Sequence, residues 1–244
     1  MTLTTEKTVR DIAIENPGAV QMFEALGIDY CCGGHRTLNE ACERAKVSPD
    51  RALELIATLQ QDDRTVAKDK WNEAQLSDLI QYIIERHHGF VRQEIPRLEA
   101  LFEKVNQHHG EAHPELLEIR ALYGAMSQEL FSHLLKEEQV LFQYIQKLDA
   151  ALHGATLPVG CFASVEMPIA RMLAEHDDAG ALLAKIRSLT GDFDPPETAC
   201  PSYRRLYSGL EGFEQDLHRH IHLENNILFP RAVHLERKLR GVLQ

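Results

Sequence analysis

Two ten-residue stretches carry the fold prediction for this chain: HLLKEEQVLF at residues 133–142 and HIHLENNILF at residues 220–229. Each stretch has a histidine four residues before a glutamate, and each ends in a Leu-Phe pair. Residues four apart lie on the same face of an α-helix, so the side chains of His133 and Glu137 are predicted to project together. Because the pattern recurs 87 positions later, it indicates one helical unit used twice.

Apolar residues three or four positions apart mark four long helices around these stretches. The stripes cover residues 76–102, 119–148, 169–186 and 206–227. Almost nothing alternates with a period of two, so strands are not expected. Pro96 lies inside the first stripe and is predicted to kink that helix rather than end it. Four amphipathic helices joined by turns predict an antiparallel four-helix bundle.

Ionisable side chains occupy positions on these stripes that a core normally fills with apolar residues. His133 and Glu137 continue the second stripe, and the fourth stripe contains an equivalent pair. In the third stripe, His176 falls between Met172 and Leu183. An ionised glutamate on a core stripe is costly unless it is paired or binds a metal. Two such glutamates in equivalent positions therefore point to a shared metal site.

A histidine on the helix before each motif completes the predicted ligand set. His88 lies 45 positions before His133, and His176 lies 44 positions before His220. Helical periodicity of about 100° per residue places His87 nearer the middle of the first stripe than His88, so periodicity alone favours His87. The pattern predicts a site of four imidazoles and two carboxylates, arranged around a pseudo-twofold axis.

The ligand types narrow the choice of metal. Mixed imidazole and carboxylate ligation suits iron, manganese or zinc, and iron is the metal that we predict. Glu137 and Glu224 are expected on opposite helices, where both can bridge two metal ions. The set contains no cysteine, which disfavours a thiolate zinc site or an iron–sulfur cluster in the bundle. Ferritin-like bundles use more carboxylates and the order Glu-x-x-His, whereas the order here is His-x-x-x-Glu.

Composition restricts the partners and the compartment. The 244 residues include 26 Lys and Arg against 37 Asp and Glu, a net charge of −11, so neither nucleic acid nor an anionic membrane is an expected partner. No apolar run approaches the length of about 20 residues that spans a bilayer, and the polar N-terminus lacks a signal-peptide core. Five cysteines, two of them adjacent, do not form a secreted disulfide framework. A cytoplasmic location is therefore expected.

The region before the bundle has a different organisation. Residues 1–60 contain short helices with clear capping and turn residues, which predicts a small helical domain. Residues 61–74 are charged and aperiodic, as in a linker. Residues 75–244 are assigned to the bundle domain.

Adjacent cysteines lie in the turn DYCCGG, residues 29–34 of the small domain. Cys31 and Cys32 cannot form an unstrained disulfide with ordinary trans geometry. A thiol pair in a glycine-rich turn is open to redox chemistry or to soft metals, and two buried small side chains are the alternative interpretation. Cys161 and Cys200 lie between helices, and their spacing indicates no partner.

The DYCCGG turn, the two bundle motifs and Glu175-His176-Asp177 together resemble the family of iron–sulfur cluster repair di-iron proteins (repair of iron centres). The resemblance covers nearly the whole chain and implies an all-α protein, with a small helical N-terminal domain and an antiparallel hemerythrin-like four-helix bundle. The family's first-helix ligand lies eight residues before a proline, which here selects His88 before Pro96. Two oxo- and carboxylate-bridged, non-haem iron ions are then implied, with the ligands His88, His133, His176 and His220 and the bridges Glu137 and Glu224.

The resemblance also implies a function. The protein is expected to repair iron–sulfur clusters damaged by nitrosative or oxidative stress, by iron donation, nitric-oxide chemistry or both. Damaged iron–sulfur proteins are the expected partners, nitric oxide or dioxygen is the expected small ligand, and the protein is expected to be a homodimer. Cys31 and Cys32 are expected to handle redox equivalents or nitrosyl groups. Such a repair factor need not be a conventional enzyme, and reduction of nitric oxide is a candidate activity.

Further histidines and two other functions stay open at this point. The family often has a histidine matching His109 near the centre, which makes His109 a second-tier ligand candidate. His87, His218 and His222 depart from the family pattern and are expected at the surface or as additional metal-binding groups. A hemerythrin-like oxygen or nitric-oxide sensor or carrier is the alternative function, although it does not need the cysteine-bearing domain. A metal-free interaction bundle is the third interpretation.

Overall fold

The computed structural model describes residues 3–62 and 70–241. Within these ranges the chain is helical apart from turns, loops and an isolated antiparallel bridge between Thr8 and Thr37. Four short helices come first: α1 (Val9–Glu15), α2 (Ala19–Leu26), α3 (Leu38–Ala45) and α4 (Pro49–Asp62). The all-α prediction is confirmed.

Four long helices form the bundle, and three of them contain a π-helical segment. Helix α5 consists of Leu76–Tyr82, the π segment Ile83–His88 and Gly89–His109. Helix α6 consists of Glu115–Lys136, the π segment Glu137–Leu141 and Phe142–Leu152. Helix α7 is Glu166–Leu189, and helix α8 consists of Pro201–His222, the π segment Leu223–Leu228 and Phe229–Leu239. None of the described helices is long and apolar enough to cross a membrane.

The short helices begin and end at residues with clear local causes. The Thr8 side chain accepts a hydrogen bond from the Asp11 backbone N–H at 3.1 Å and caps α1. Gly27 ends α2 in the left-handed conformation, with φ of 64°, which glycine adopts without a steric penalty. Thr37 and Glu40 form a capping box at the start of α3.

The predicted linker at residues 61–74 is only partly described. Its first two residues belong to α4, and Lys70–Asn72 form a 3₁₀ turn. Residues 63–69 lie outside the described part of the chain, so a linker there stays a prediction. Arg231 of α8 donates hydrogen bonds to the carbonyl groups of Trp71 and Ala74, which fastens the end of this segment to the bundle.

The π segments explain why periodicity favours the wrong one of two adjacent histidines for the centre of the bundle. In α5 the Gly89 N–H donates to the Ile84 carbonyl, five residues back instead of four. A π turn therefore contains one more residue than an α turn, and it shifts the phase of everything that follows. A stripe extrapolated from Leu76 at a constant α-helical phase reaches His87, whereas the structure turns His88 inward. The helix continues through Pro96 as expected.

Buried apolar side chains form three clusters. One holds the small domain together around Ile12, Phe23 and Leu38. The other two occupy the two ends of the bundle, one containing Phe102 and Tyr123 and the other containing Leu148, Phe229 and their neighbours. The buried histidines and glutamates of the bundle lie between these two clusters. The bundle core is therefore apolar at both ends and polar in the middle.

The small domain packs on the bundle through the turn that carries the cysteines. The Asn226 side-chain amide in the α8 π segment donates to the Tyr30 carbonyl at 3.0 Å. A Cβ added to Gly34 would lie 2.7 Å from Asn226 Oδ1 and 2.9 Å from the Tyr30 carbonyl oxygen, so this close approach requires glycine. Beside the same interface, His218 Nδ1 of α8 lies 3.0 Å from Glu24 Oε1 of α2.

A buried carboxylate anchors the start of α7 to the end of α8. Glu236 accepts hydrogen bonds from the Val165 backbone N–H at 3.0 Å, from the Ser164 hydroxyl at 2.8 Å and from the Tyr144 hydroxyl at 2.7 Å. Burial alone would raise the pKa of Glu236, but these donors and Arg240 lower the pKa below its ordinary value. The ionised form is therefore the one that stabilises this junction.

We expect Glu236→Gln to lower the free energy of unfolding at neutral pH by about 2 kcal/mol, because charged hydrogen bonds are lost. The folded pKa lies below the unfolded value of about 4.3, so the carboxylate stabilises above that pH and this stability is lost as the pH falls through the folded pKa. Urea unfolding followed by circular dichroism should show the wild-type and variant stabilities converging in acid. Glu211→Gln, at an exposed position of α8, is the matched control. If the free energies of unfolding of the wild type and Glu236→Gln differed by the same amount down to about pH 3, the stabilising role of the ionised Glu236 would be contradicted.

Candidate metal centre

Six buried side chains converge in the polar middle of the bundle, and they are those of the predicted ligand set. Their candidate ligand atoms form two groups, and within each group the atoms lie within 4.8 Å of one another. One group consists of His88, Glu137, His220 and Glu224, and the other of His133, Glu137, His176 and Glu224. Both glutamates belong to both groups, whereas each histidine belongs to one. Helices α5 and α7 supply one histidine each, and α6 and α8 supply a histidine and a glutamate each.

The four imidazoles direct the same ring nitrogen, Nε2, towards the glutamates. The two Nε2 atoms of each group lie 3.1 Å apart, between His88 and His220 and between His133 and His176. The contacts between Nε2 and a carboxylate oxygen are 2.9 Å for His220–Glu224, 3.2 Å for His176–Glu224, 3.4 Å for His133–Glu137 and 3.5 Å for His88–Glu137. The donor atoms of six side chains thus face a common centre.

The other ring nitrogen, Nδ1, faces an outer acceptor in three of the four histidines. These pairs are His88 with Glu138 at 2.6 Å, His133 with Glu175 at 2.9 Å and His176 with Asn225 at 2.7 Å. Since each acceptor binds an Nδ1–H, the Nε2 lone pair points inward, which is the tautomer of a metal-binding imidazole. The sequence interpretation missed all three acceptors, although each is adjacent in sequence to a predicted ligand.

The centre contains polar atoms that the protein alone does not satisfy. Among the described residues, neither oxygen of Glu137 nor Oε2 of Glu224 has a hydrogen-bond partner. With Nδ1–H directed outward in His133 and His176, the two Nε2 lone pairs of that pair also face each other. Unpaired buried acceptors are costly, whereas metal ions bind carboxylate oxygens and imidazole lone pairs together. The donor set therefore fits metal ions.

The electrostatics of the centre favour ionised carboxylates. Complete burial would raise the pKa of Glu224, but His220 and His176 hold this pKa well below its ordinary range. Burial would likewise lower the pKa of His133, yet the carboxylates of Glu137 and Glu224 raise it to about 9. The two negative charges therefore require positive charge beside them, either as protons on the imidazoles or as metal ions.

His87 lies next to the centre but outside both groups. Its Nδ1 atom is 3.0 Å from Asp216 Oδ2, and its ring stacks on that of His220 at 5.6 Å. Burial lowers the pKa of His87, and Asp216 opposes this. The structure therefore brings His88, and not His87, into the ligand groups.

The remaining candidate histidines also lie outside the ligand groups. His222 is buried, with Nδ1 2.9 Å from the Asn226 amide, and His218 pairs with Glu24. His87 and His222 are thus buried and His218 is half-buried, and none of the three belongs to a ligand group. His109 ends the α5 helix, about 30 Å along the helix from His88, and its ring contacts Tyr203. The structure does not bring His109 to the centre.

The adjacent cysteines are free thiols whose sulfur atoms lie 3.9 Å apart. Cys31 is buried and Cys32 is half-buried, and Asp29 Oδ1 accepts hydrogen bonds from the backbone N–H groups of Cys32 and Gly33. Asp29, Cys31 and Cys32 form a third group of ligand atoms within 4.8 Å. The Cys32 sulfur also lies 3.8 Å from the carbonyl oxygen of His176, so the turn touches the backbone of a candidate metal ligand.

A cavity reaches the centre from the surface between α6 and α7. Its volume is about 220 Å³, and it is lined by residues that include His133, His176 and His220. Lys136, Arg171 and Glu175 lie at its polar side, where Arg171 donates to Glu175 at 2.7 Å. A diatomic molecule or water can therefore approach the three imidazoles through this opening.

Comparison with known proteins gives matches over most of the chain. Residues 79–232 match the family described as hemerythrin HHE cation binding domain, and residues 5–60 match the family described as domain of unknown function DUF542. An iron–sulfur cluster repair protein YtfE from Pectobacterium carotovorum is 38% identical over 231 residues, 93% of this chain and 97% of that protein. Proteins of the same name are 35% identical over 228 residues in Musicola paradisiaca and 37% identical over 222 residues in Yersinia pseudotuberculosis. These matches cover 93% and 91% of this chain, and 96% and 94% of those proteins.

We expect His88→Gln to reduce metal content and His87→Gln to leave it nearly unchanged. The reason is that His88 Nε2 faces the two shared glutamates, whereas His87 is hydrogen-bonded to Asp216. Elemental analysis of protein purified without chelator measures the metal bound per chain. A larger loss in His87→Gln than in His88→Gln would contradict this placement of the ligands.

Proposed function

Because the chain belongs to the family of iron–sulfur cluster repair proteins with a hemerythrin HHE domain, we propose that it repairs iron–sulfur clusters with a pair of iron ions held in its bundle. The observation that carries this proposal is that Glu137 and Glu224 belong to both ligand groups. Two carboxylates shared between two sets of imidazoles are the arrangement that two neighbouring ions need. A single ion would leave half of these buried donors unsatisfied.

We assign one iron ion to His88 and His220 and the other to His133 and His176. Glu137 and Glu224 bridge the two ions in this assignment. Each ion then has two imidazoles and two carboxylate oxygens from the protein, which leaves positions for a small ligand. Manganese and zinc also suit these donors, and the metal content of the purified protein distinguishes the three metals.

When bound, the iron pair supplies one-electron redox chemistry, affinity for a small diatomic ligand and iron for cluster rebuilding. The protein residues hold and orient the ligands. Glu138 and Glu175 fix two imidazoles through Nδ1, and the cavity beside His133 and His176 admits a small molecule. Imidazole and carboxylate ligands hold iron less firmly than thiolates or haem, which supports a centre that can release iron.

Cys31 and Cys32 are proposed to handle redox equivalents or nitrosyl groups during repair of damage from nitrosative or oxidative stress. Their free thiols and the contact of Cys32 with the His176 backbone support this role. The cysteines also line a cleft of about 800 Å³ between the small domain and the bundle. We propose nitric oxide or dioxygen as the small ligand and damaged iron–sulfur proteins as the partners.

The free cysteines support a cytoplasmic location, where thiols stay reduced. The homodimer implied by the family resemblance stays a prediction, and sedimentation analysis of the iron-loaded protein measures it.

We expect Glu137→Ala to lose more iron than His88→Ala, because both ions lose a ligand when the shared carboxylate is removed. Colorimetric iron determination gives the content per chain, and the visible spectrum reports the absorption of an oxo-bridged di-ferric pair. Retention of two irons by Glu137→Ala would show that this residue does not bridge.

The double variant Cys31→Ser, Cys32→Ser is expected to keep its iron and its visible spectrum but to lose most of its repair activity. The assay measures recovery of an iron–sulfur enzyme that has been inactivated with nitric oxide. Cys161→Ser, at an exposed loop position, is the control and is expected to repair normally. Undiminished repair by the double variant would favour the sensor or carrier function.

A further inference from the structure

The two halves of the candidate centre are related by the sequence repeat, but their outer hydrogen bonds differ chemically. In each half, the residue that follows the shared glutamate accepts a hydrogen bond from the Nδ1 of a histidine. Glu138 holds His88 at 2.6 Å, and Asn225 holds His176 at 2.7 Å. One partner is thus a carboxylate, which only accepts, and the other is an amide, which also donates.

Asn225 uses its donor on the cysteine turn. Its Nδ2 atom lies 3.3 Å from the carbonyl oxygen of Cys31 and donates a hydrogen bond to it. The same side chain therefore binds a candidate iron ligand through its oxygen and the backbone of the thiol turn through its nitrogen. Glu138 instead binds Arg92 at 2.7 Å, within the bundle.

The thiol turn and His176 meet at a second point. The Cys32 sulfur lies 3.8 Å from the His176 carbonyl oxygen, and a Cβ placed on Gly180, one turn further along α7, would lie 3.9 Å from the same sulfur. A group attached to Cys32 would therefore press on the backbone of α7 or lift the turn from it. In either case the Cys31 carbonyl would move away from Asn225, and Asn225 would no longer fix the His176 ring.

We propose that Asn225 is a positioning residue that couples the Cys31–Cys32 turn to the His133–His176 half of the centre. Through this coupling, attachment of a group to the thiols loosens the iron ion of that half, and iron binding in return changes thiol reactivity. The reciprocity follows from linkage, since a coupling free energy acts equally in both directions. The inference rests on the proposed function, because it requires iron at the assigned ligands.

Iron release after thiol modification tests the coupling directly. The background is the iron-loaded protein with Cys161→Ser and Cys200→Ser, treated with methyl methanethiosulfonate. The reagent transfers a methylthio group to the sulfur, forming a mixed disulfide, while methanesulfinate and the thiol proton leave. Mass spectrometry locates the group, and a ferrous chelator added anaerobically to the di-ferrous protein, after removal of the reducing agent, reports iron release. We expect one of the two irons to leave about tenfold faster after modification, the size typical of losing an outer hydrogen bond to a ligand.

Two matched variants separate coupling from ligand positioning. Asn225→Asp keeps an acceptor for His176 Nδ1 but has no donor for the Cys31 carbonyl, so it should bind two irons and release them at a rate insensitive to thiol modification. Glu138→Gln alters the equivalent position beside His88, and in this variant iron release should still respond to thiol modification. Thiol reactivity measured with an aromatic disulfide should differ between iron-loaded and iron-free protein, and this difference should vanish in Asn225→Asp.

The outcomes distinguish this inference from the proposed function. The coupling would be overturned if thiol modification did not change the rate of iron release, or if this rate still responded to modification in Asn225→Asp. Either result would leave the proposed iron centre intact. A protein that binds no iron when all six ligands are present would overturn the proposed function and, with it, the coupling.

Discussion

Two carboxylates buried in the middle of a helical bundle set the main physical constraint on this protein. Glu137 and Glu224 are fully buried, and several of their oxygens have no hydrogen-bond partner among the described residues. Burying ionised carboxylates costs several kcal/mol unless positive charge lies beside them. All four long helices therefore contribute an imidazole to the same layer, and apolar clusters pack at either end of it.

The charge around this layer alternates from the centre outward. Carboxylates lie innermost and imidazoles surround them, and the acidic side chains of Glu138 and Glu175 bind the outer imidazole nitrogens. Arg92, Arg171 and Lys136 then bind those acidic side chains near the surface. Each layer of charged side chains stabilises the layer inside it. A substitution of an outer side chain therefore changes the basicity and the orientation of an inner ligand. Asn225 is the exception, since its outer contact is a backbone carbonyl of the other domain.

The sequence predicted the bundle and the six converging side chains well, because the helical stripes and the repeated His-x-x-x-Glu spacing depend only on local geometry. Periodicity alone favoured His87 over His88, since a π segment changes the helix phase and no residue type marks it, whereas the family resemblance selected His88. The sequence did not predict the roles of Asn225 and Glu138. Amphipathic periodicity identifies side chains that face the core, but it does not identify the residues that bind the outer ring nitrogen of a core histidine. The contact of Asn226 with Tyr30 joins residues far apart in the chain, and spacing contains no information about it.

The π segments also give each of the three helices that contain them two rotational registers. Upstream and downstream of the centre, the apolar stripe of α5, α6 or α8 follows a different rotational frame, offset by about one residue. Winding the same residues of such a segment as an ordinary α-helix would rotate everything beyond it by about 100°. One end of the core would then face outward while the other stayed in place. Because the apolar clusters at both ends must face inward, the packing of the whole bundle holds the π turns at the ligands in place.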